Sequence, residues 1–252
     1  MSYETVTRFF VKITLLSAAL LPLVYFNRIL HVPFTIFILG TGSWGIGLIF
    51  KIPAHQLVVV PLQNKTESSL TVSALNGLLS GIFELGAALL IILLMKNKVI
   101  FDFNAVIAFG LVIGSFEMLL IVFSKDNDLL KGTALEKPSE QLTSFLGRLE
   151  GLRYFVFNGL FPLAERILAT LLHIATRGMV FVTLLSGNIF PFILALLVFL
   201  LADGLLTYFY YITGRLAGLK GLGELFLYLF ILTAVSFVSF LYLIAPYKET
   251  AL

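Results

Sequence analysis

The stretch SGIFELGAALLIILLM, residues 80–95, contains one carboxylate, Glu84, in an otherwise apolar run. A charged side chain at the centre of a membrane helix costs at least ~2.5–3.5 kcal/mol, so it faces a bundle interior or a wet cavity instead of lipid. This pattern predicts a buried polar centre inside a membrane bundle. Three further apolar stretches carry charged or ionisable side chains: Glu117 in residues 109–123, Glu165, Arg166 and His173 in residues 161–177, and Asp203 in residues 194–211.

The composition of the chain is that of an integral membrane protein. Of its 252 residues, 59% are hydrophobic and only 12% are charged, and the mean hydropathy is +1.02. A soluble domain could not keep this much apolar surface from water. The net charge of +3 comes from scattered loop residues, which argues against nucleic acid as a partner. Because the chain has no Cys, disulfides and thiolate metal ligands are excluded.

The apolar runs predict the fold. About 20 apolar residues are needed to cross roughly 30 Å of hydrocarbon, and about seven runs of this kind are present. We therefore predict an all-α, polytopic membrane bundle of about seven transmembrane helices, forming a single domain over residues 1–252. Breaks between the runs contain Pro, Gly or charged residues, as at Lys51 with Pro53. The predicted spans are 9–27, 33–51, 70–95, 99–124, 156–176, 187–213 and 223–245.

One long polar stretch, residues 124–153, interrupts these runs. Its second half repeats apolar residues at three- and four-residue steps, which is typical of an amphipathic helix lying at the membrane interface. A solvated linker is the alternative interpretation. The apolar residues concerned are Leu142, Phe145, Leu146, Leu149 and Leu152.

The loop charges predict the orientation of the chain. About eleven Lys and Arg residues fall on the N-terminal side of the membrane, and about four fall on the opposite side. By the positive-inside rule the N terminus is cytoplasmic, and the expected location is the plasma membrane.

Polar residues share one face in several predicted helices. In the fourth span Gly110 and Gly114 lie on the same face as Glu117, so a neighbouring helix can approach closely beside this carboxylate. Polar faces of this kind are directed towards protein, because lipid offers no hydrogen-bond partners. The other faces contain Ser73, Asn76, Ser80 and Glu84 in the third span, Arg166, His173 and Arg177 in the fifth, and Asp203, Thr207 and Tyr211 in the sixth.

Two interpretations of the buried charges remain open. In the first, the acidic residues pair with Arg166 and Arg177 and form a neutralised network that fixes helix packing. In the second, the charged residues line a hydrophilic site that is open to water at bilayer depth, as in intramembrane hydrolases or carriers.

The chain resembles the YhfC family of intramembrane metalloprotease-like proteins, relatives of the CAAX-processing and bacteriocin-immunity proteases. The resemblance covers most of the chain and rests on the order of four short motifs. These are SGIFE (80–84), FGLVIGSFE (109–117), ERILATLLH (165–173) and the span that contains Asp203. It implies a metal-dependent site in which Glu84 activates water on a metal held by some of His173, Glu117 and Asp203. Independently of the resemblance, Glu165, Arg166 and Arg177 are expected to form a charge network around the cavity.

The chain also departs from the family pattern. Leu85 follows Glu84 in place of a second Glu, and the positions of two expected histidines hold Ile113 and Phe199. Zinc hydrolysis needs about three protein ligands, an open position and a general base. We therefore expect a degenerate member of the family, in which Ile113 and Phe199 still point into the cavity and Glu84 is paired with an Arg or protonated.

Three functions follow as hypotheses. The first is a protease-like protein without catalysis that binds a peptide, a lipid-linked segment or a partner protein. The second is an active metal-dependent protease with a carboxylate-rich site, and only this hypothesis requires zinc. The third is a small carrier that uses the charged interior as a proton or substrate path. The expected partners are membrane lipid and, for the first hypothesis, a membrane peptide or protein.

Overall fold

Seven long helices account for most of the described chain. The structure is a computed structural model that describes residues 3–63, 65, 69–123, 160–209 and 219–249. Each long helix contains a segment that is long and apolar enough to cross a membrane, and the described residues include no strand. The chain is therefore an all-α, multi-pass membrane protein, as predicted. The helices are α1 (Tyr3–Arg28), α2 (Phe34–Ala54), α3 (Ser69–Met95), α4 (Phe103–Phe123), α5 (Phe161–Ser186), α6 (Phe190–Thr207) and α7 (Leu219–Ile244).

The second span is longer than predicted. We expected it to end at Lys51, but the helical backbone continues through Pro53 into a π-helical turn, His55–Val59, and a final turn, Val60–Gln63. A proline removes one backbone hydrogen bond from a helix, and irregular turns are common beside such positions. The apolar span runs over Phe34–Gln63, so Lys51 lies inside it and not in a loop.

The fifth span also differs from its prediction. Helix α5 continues ten residues past the predicted end at 176 and stops at Ser186, where Gly187 has φ 67°. This left-handed backbone conformation favours glycine and commonly ends a helix. The predicted interfacial helix at 124–153 lies outside the described residues, as does Tyr211.

Helix α5 is the centre of the bundle. In an 18-residue apolar window of this helix 72% of the residues are buried, compared with 11% in the corresponding windows of α1 and α2. It packs against α3, α4, α6 and α7, while α3 packs on α6, α2 on α3, and α1 on α4. Large apolar side chains outside this core, such as the exposed Leu94, face lipid. The main core includes Phe109, Ile113, Met179, Phe181 and Phe240.

Two glycines bring α4 against α5. A Cβ atom on Gly110 would overlap the backbone of Ile174, and one on Gly114 would overlap Thr170. Both contacts lie within two turns of Glu117 on the same helix, which confirms the predicted close approach beside this carboxylate.

Glycines also bring α3 against its two neighbours. A Cβ atom on Gly77 would overlap the backbone of Leu200 in α6. On the other side of α3, a Cβ atom on Gly47 of α2 would lie 3.0 Å from the Cα atom of Glu84. The backbone of α3 is therefore closely flanked on both sides near its polar face.

The α3–α6 contact gives a first prediction. Gly77→Ala should lower the stability of the purified protein by about 1–3 kcal/mol, because the added methyl group must displace backbone atoms of α6. Gly86→Ala is the matched control, since Gly86 lies on the same helix and has nothing within 4 Å of a Cβ atom. Thermal unfolding in detergent measures both, and equal melting temperatures for the two variants would contradict the close approach.

Candidate functional site

Glu84 is bound by two cations from two different helices. Its Oε1 atom accepts a hydrogen bond of 2.9 Å from the Lys51 ammonium, and its Oε2 atom accepts one of 2.9 Å from the Arg177 guanidinium. Lys51 also donates to Asp203 Oδ2 at 3.2 Å. We call these four residues the Glu84 network. Two positive and two negative side chains make it electrically balanced.

A second group surrounds Glu117. The Oε1 atom of Glu117 is 3.1 Å from His173 Nε2, and its Oε2 atom accepts a hydrogen bond of 3.3 Å from Arg166. Arg166 also binds the carboxylate of Glu165 through two of its nitrogens. We call these four residues the Glu117 network. Among the described residues its charges balance only when His173 carries a proton.

Phe199 lies between the two networks. Its ring centroid is 5.9 Å from that of His173 and 4.7 Å from Cζ of Arg177, close enough for a cation–π contact. Ile113 is fully buried in the main core. Neither side chain faces lipid. This is required if positions 113 and 199 once held metal ligands. Whether their Cβ atoms aim at one metal position stays a prediction.

Exposure differs within the Glu84 network. The side chains of Lys51 and Asp203 are 22% and 27% exposed, and those of Glu84 and Arg177 only 4% and 1%. The network is therefore partly open at Lys51 and Asp203, its outer edge, and closed at Glu84 and Arg177.

The predicted convergence is confirmed in part. Glu84 and Asp203 meet through Lys51, and Glu117 meets His173 directly. The predicted pairing of Glu84 with an arginine is also confirmed, and Arg177 is its partner. The two pairs, Glu84 with Asp203 and Glu117 with His173, thus form two adjacent groups instead of one.

The proposed metal ligands do not assemble as a set. His173 and Glu117 are in contact, but Asp203 is directed at Lys51. No group of three His, Asp or Glu side chains in the described ranges has a spacing suited to a metal ion. The donors present therefore do not fit the zinc site that the family resemblance implies.

Sequence reasoning missed Lys51, because Pro53 was interpreted as the end of the span. A signal was nevertheless present. Small residues at Gly40, Ser43 and Gly47 are buried on one face of α2, and Lys51 follows on that face one turn later. The apolar sequence also continues for about ten residues beyond it.

Several polar atoms near the networks are buried without a hydrogen-bond partner among the described residues. They include Nδ1 of His173 and Nε of Arg177. The hydroxyl of Ser80, one turn before Glu84 on α3, also has no hydrogen-bond partner among the described residues. The same is true of the hydroxyls of Ser73 and Ser115.

Comparisons with protein-family models, with curated proteins and with solved structures return no match. The function must therefore be argued from the site itself.

The Glu84 network gives a second prediction. Arg177→Met should destabilise the protein by about 3–5 kcal/mol, because it leaves two carboxylates facing one ammonium in a buried site. Adding Glu84→Gln should recover part of this loss, since Lys51 and Asp203 then remain as a balanced pair. Arg28→Met is the control, because Arg28 is exposed at the end of α1, and it should leave the melting temperature unchanged. A double variant less stable than Arg177→Met would contradict the charge-balance argument.

Proposed function

We propose that this chain is a non-catalytic, protease-like membrane protein that acts by binding a membrane peptide, a lipid-linked segment or a partner protein. The proposal retains the resemblance to the YhfC family and treats the polar centre as a former active site. It places the protein in the plasma membrane with a cytoplasmic N terminus, in accordance with the loop charges.

One observation carries the proposal: both carboxylate oxygens of Glu84 are held by cations. Glu84 is the residue that the resemblance assigns to activating water. A general base must present an oxygen to the proton that it removes. Here Oε1 is directed at Lys51 and Oε2 at Arg177, and the side chain is 4% exposed. Both oxygens therefore already accept a hydrogen bond from a cation, which disfavours removal of a proton from water.

The surrounding side chains support the same interpretation. Phe199 fills the space against His173 and Arg177 where the resemblance expects an imidazole. Asp203, the last of the expected ligands, is bound to Lys51. On this proposal, ion pairs and an aromatic ring occupy the positions of the former active site.

Binding is the activity that such a centre still permits. The outer edge, at Lys51 and Asp203, is partly exposed and charged, while the inner edge is closed by Arg177. A segment that enters the bundle would contact the charged side chains of Lys51 and Asp203 first and would be stopped by the buried Arg177. This arrangement suits binding without catalysis.

The proposal predicts that the purified protein holds no stoichiometric zinc and cleaves no reporter peptide in a metal-dependent way. The reason is the ligand count, because His173 and Glu117 are the only two of the expected ligands in contact. Metal analysis together with a cleavage assay, with Glu84→Gln as the reference variant, provides the measurement. One zinc per chain and cleavage lost in Glu84→Gln would restore the protease hypothesis.

The former active site can also be tested by restoring it. Ile113→His combined with Phe199→His should raise the zinc content from near zero towards one per chain, because the two imidazoles would join His173 around one position. Val112→His combined with Val198→His is the matched control. Each control position is buried and precedes its test position by one residue, which turns the side chain by about 100°. Equal zinc content in the two double variants would refute the assignment of positions 113 and 199.

A further inference from the structure

The ammonium group of Lys51 is seated between carboxylates from two helices. Its Nζ atom lies 2.9 Å from Glu84 Oε1 on α3 and 3.2 Å from Asp203 Oδ2 on α6. An ammonium has three N–H donors, so two acceptors at these distances satisfy most of its hydrogen-bonding capacity. Lys51 itself belongs to neither helix and reaches the position from α2. The ammonium group of one helix therefore lies between carboxylates that belong to two others.

The carboxylate of Glu84 is held by a contact that does not involve Lys51, and the helix that carries Asp203 is fastened to α3 beside the site. Arg177, which is 1% exposed, binds the second oxygen of Glu84. On the other side, the Asn76 amide donates to the Thr207 hydroxyl at 2.7 Å, and Thr207 donates to the backbone carbonyl of Asp203 at 2.7 Å. These bonds fasten α6 to α3 beside the site. Helix α5 therefore positions the Glu84 carboxylate, and the α3–α6 contact positions the backbone at Asp203.

Lys51 extends from the most peripheral helix of the Glu84 network. Its side chain is 22% exposed, and an 18-residue apolar window of α2 is only 11% buried, compared with 39% in α3 and α6. The π-helical turn His55–Val59 begins one turn after it. The site is also accessible from outside, because the side chain of Asp203 is 27% exposed.

We propose that Glu84 and Asp203 form an intramembrane binding site for a primary ammonium group, which Lys51 occupies as an internal ligand. An ammonium is a compact point charge that suits two single oxygens from different helices, whereas a guanidinium favours a bidentate carboxylate. A divalent cation would need more oxygen ligands, and Arg177 holds the second oxygen of Glu84. The ligand class is a primary amine, such as a lysine side chain or a free amino terminus. This inference does not depend on the proposed function, because it requires no ancestral metal site.

Chemical rescue of a truncated side chain tests the proposal. Lys51→Ala removes the three outer methylene groups and the ammonium, which together correspond to propylammonium. Its melting temperature should fall by roughly 5–10 °C, as expected when a buried charge loses its partner. Propylammonium chloride should restore most of this loss saturably, while sodium chloride at equal ionic strength should not.

Controls separate a specific site from a general effect of amines. Tetramethylammonium carries the charge without N–H donors, and 1-propanol has a similar size without the charge, so neither should restore the melting temperature. Lys98→Ala removes an exposed lysine and should show no response to propylammonium. Lys51→Ala combined with Asp203→Asn should lose the response. Equal stabilisation by tetramethylammonium, or a response of Lys98→Ala, would overturn the proposal.

A second variant covers the case in which Lys51→Ala does not fold. Lys51→Met retains the stem of the side chain, and the ammonium ion itself is then the probe. Stabilisation by ammonium chloride but not by sodium chloride is the expected result. Stabilisation by magnesium or calcium chloride, without any response to ammonium or propylammonium, would overturn the amine assignment and identify a metal site.

Discussion

The buried ion pair between Glu84 and Arg177 is the contact on which the arrangement of the helices depends. Both side chains are almost inaccessible, so neither charge can be solvated by water, and lipid offers no alternative partner. An uncompensated charge at this depth would cost several kcal/mol. Helices α3 and α5 must therefore stay at the rotation and height where the carboxylate meets the guanidinium. Lys51 and Asp203 from α2 and α6 complete the balance around this pair.

The glycines and the ion pairs depend on each other. A charged pair forms only when its two helices are close enough for the side chains to meet, and between membrane helices small residues permit this approach. Gly47 lies against the backbone of Glu84, one turn from Lys51 on the same helix. Gly114 lies against α5 one turn from Glu117, which binds His173 and Arg166 there. At both contacts backbone proximity places the charged groups within hydrogen-bonding distance.

The sequence alone predicts the number of helices and the inward direction of their charges, because both follow from the length of apolar runs and the cost of charge in lipid. It also predicts that Glu84 is either paired with an arginine or protonated, and the near match in number of acidic and basic side chains inside the spans favours pairing. It does not predict the role of Lys51, because the sequence does not show whether the helix ends at Pro53 or continues through it. The division into two networks depends on the rotation of each helix about its axis, which no local pattern specifies.

The two cations that hold Glu84 differ in their capacity to move, and this difference determines where the site can respond to a ligand. Arg177 extends from the central helix, is packed under Phe199, and forms a guanidinium contact that leaves little freedom. Lys51 has a flexible stem on a peripheral helix, next to an irregular turn and partly exposed. Of the two cations, Lys51 is therefore the one that the proposed amine site requires to move, while Arg177 holds Glu84 in place.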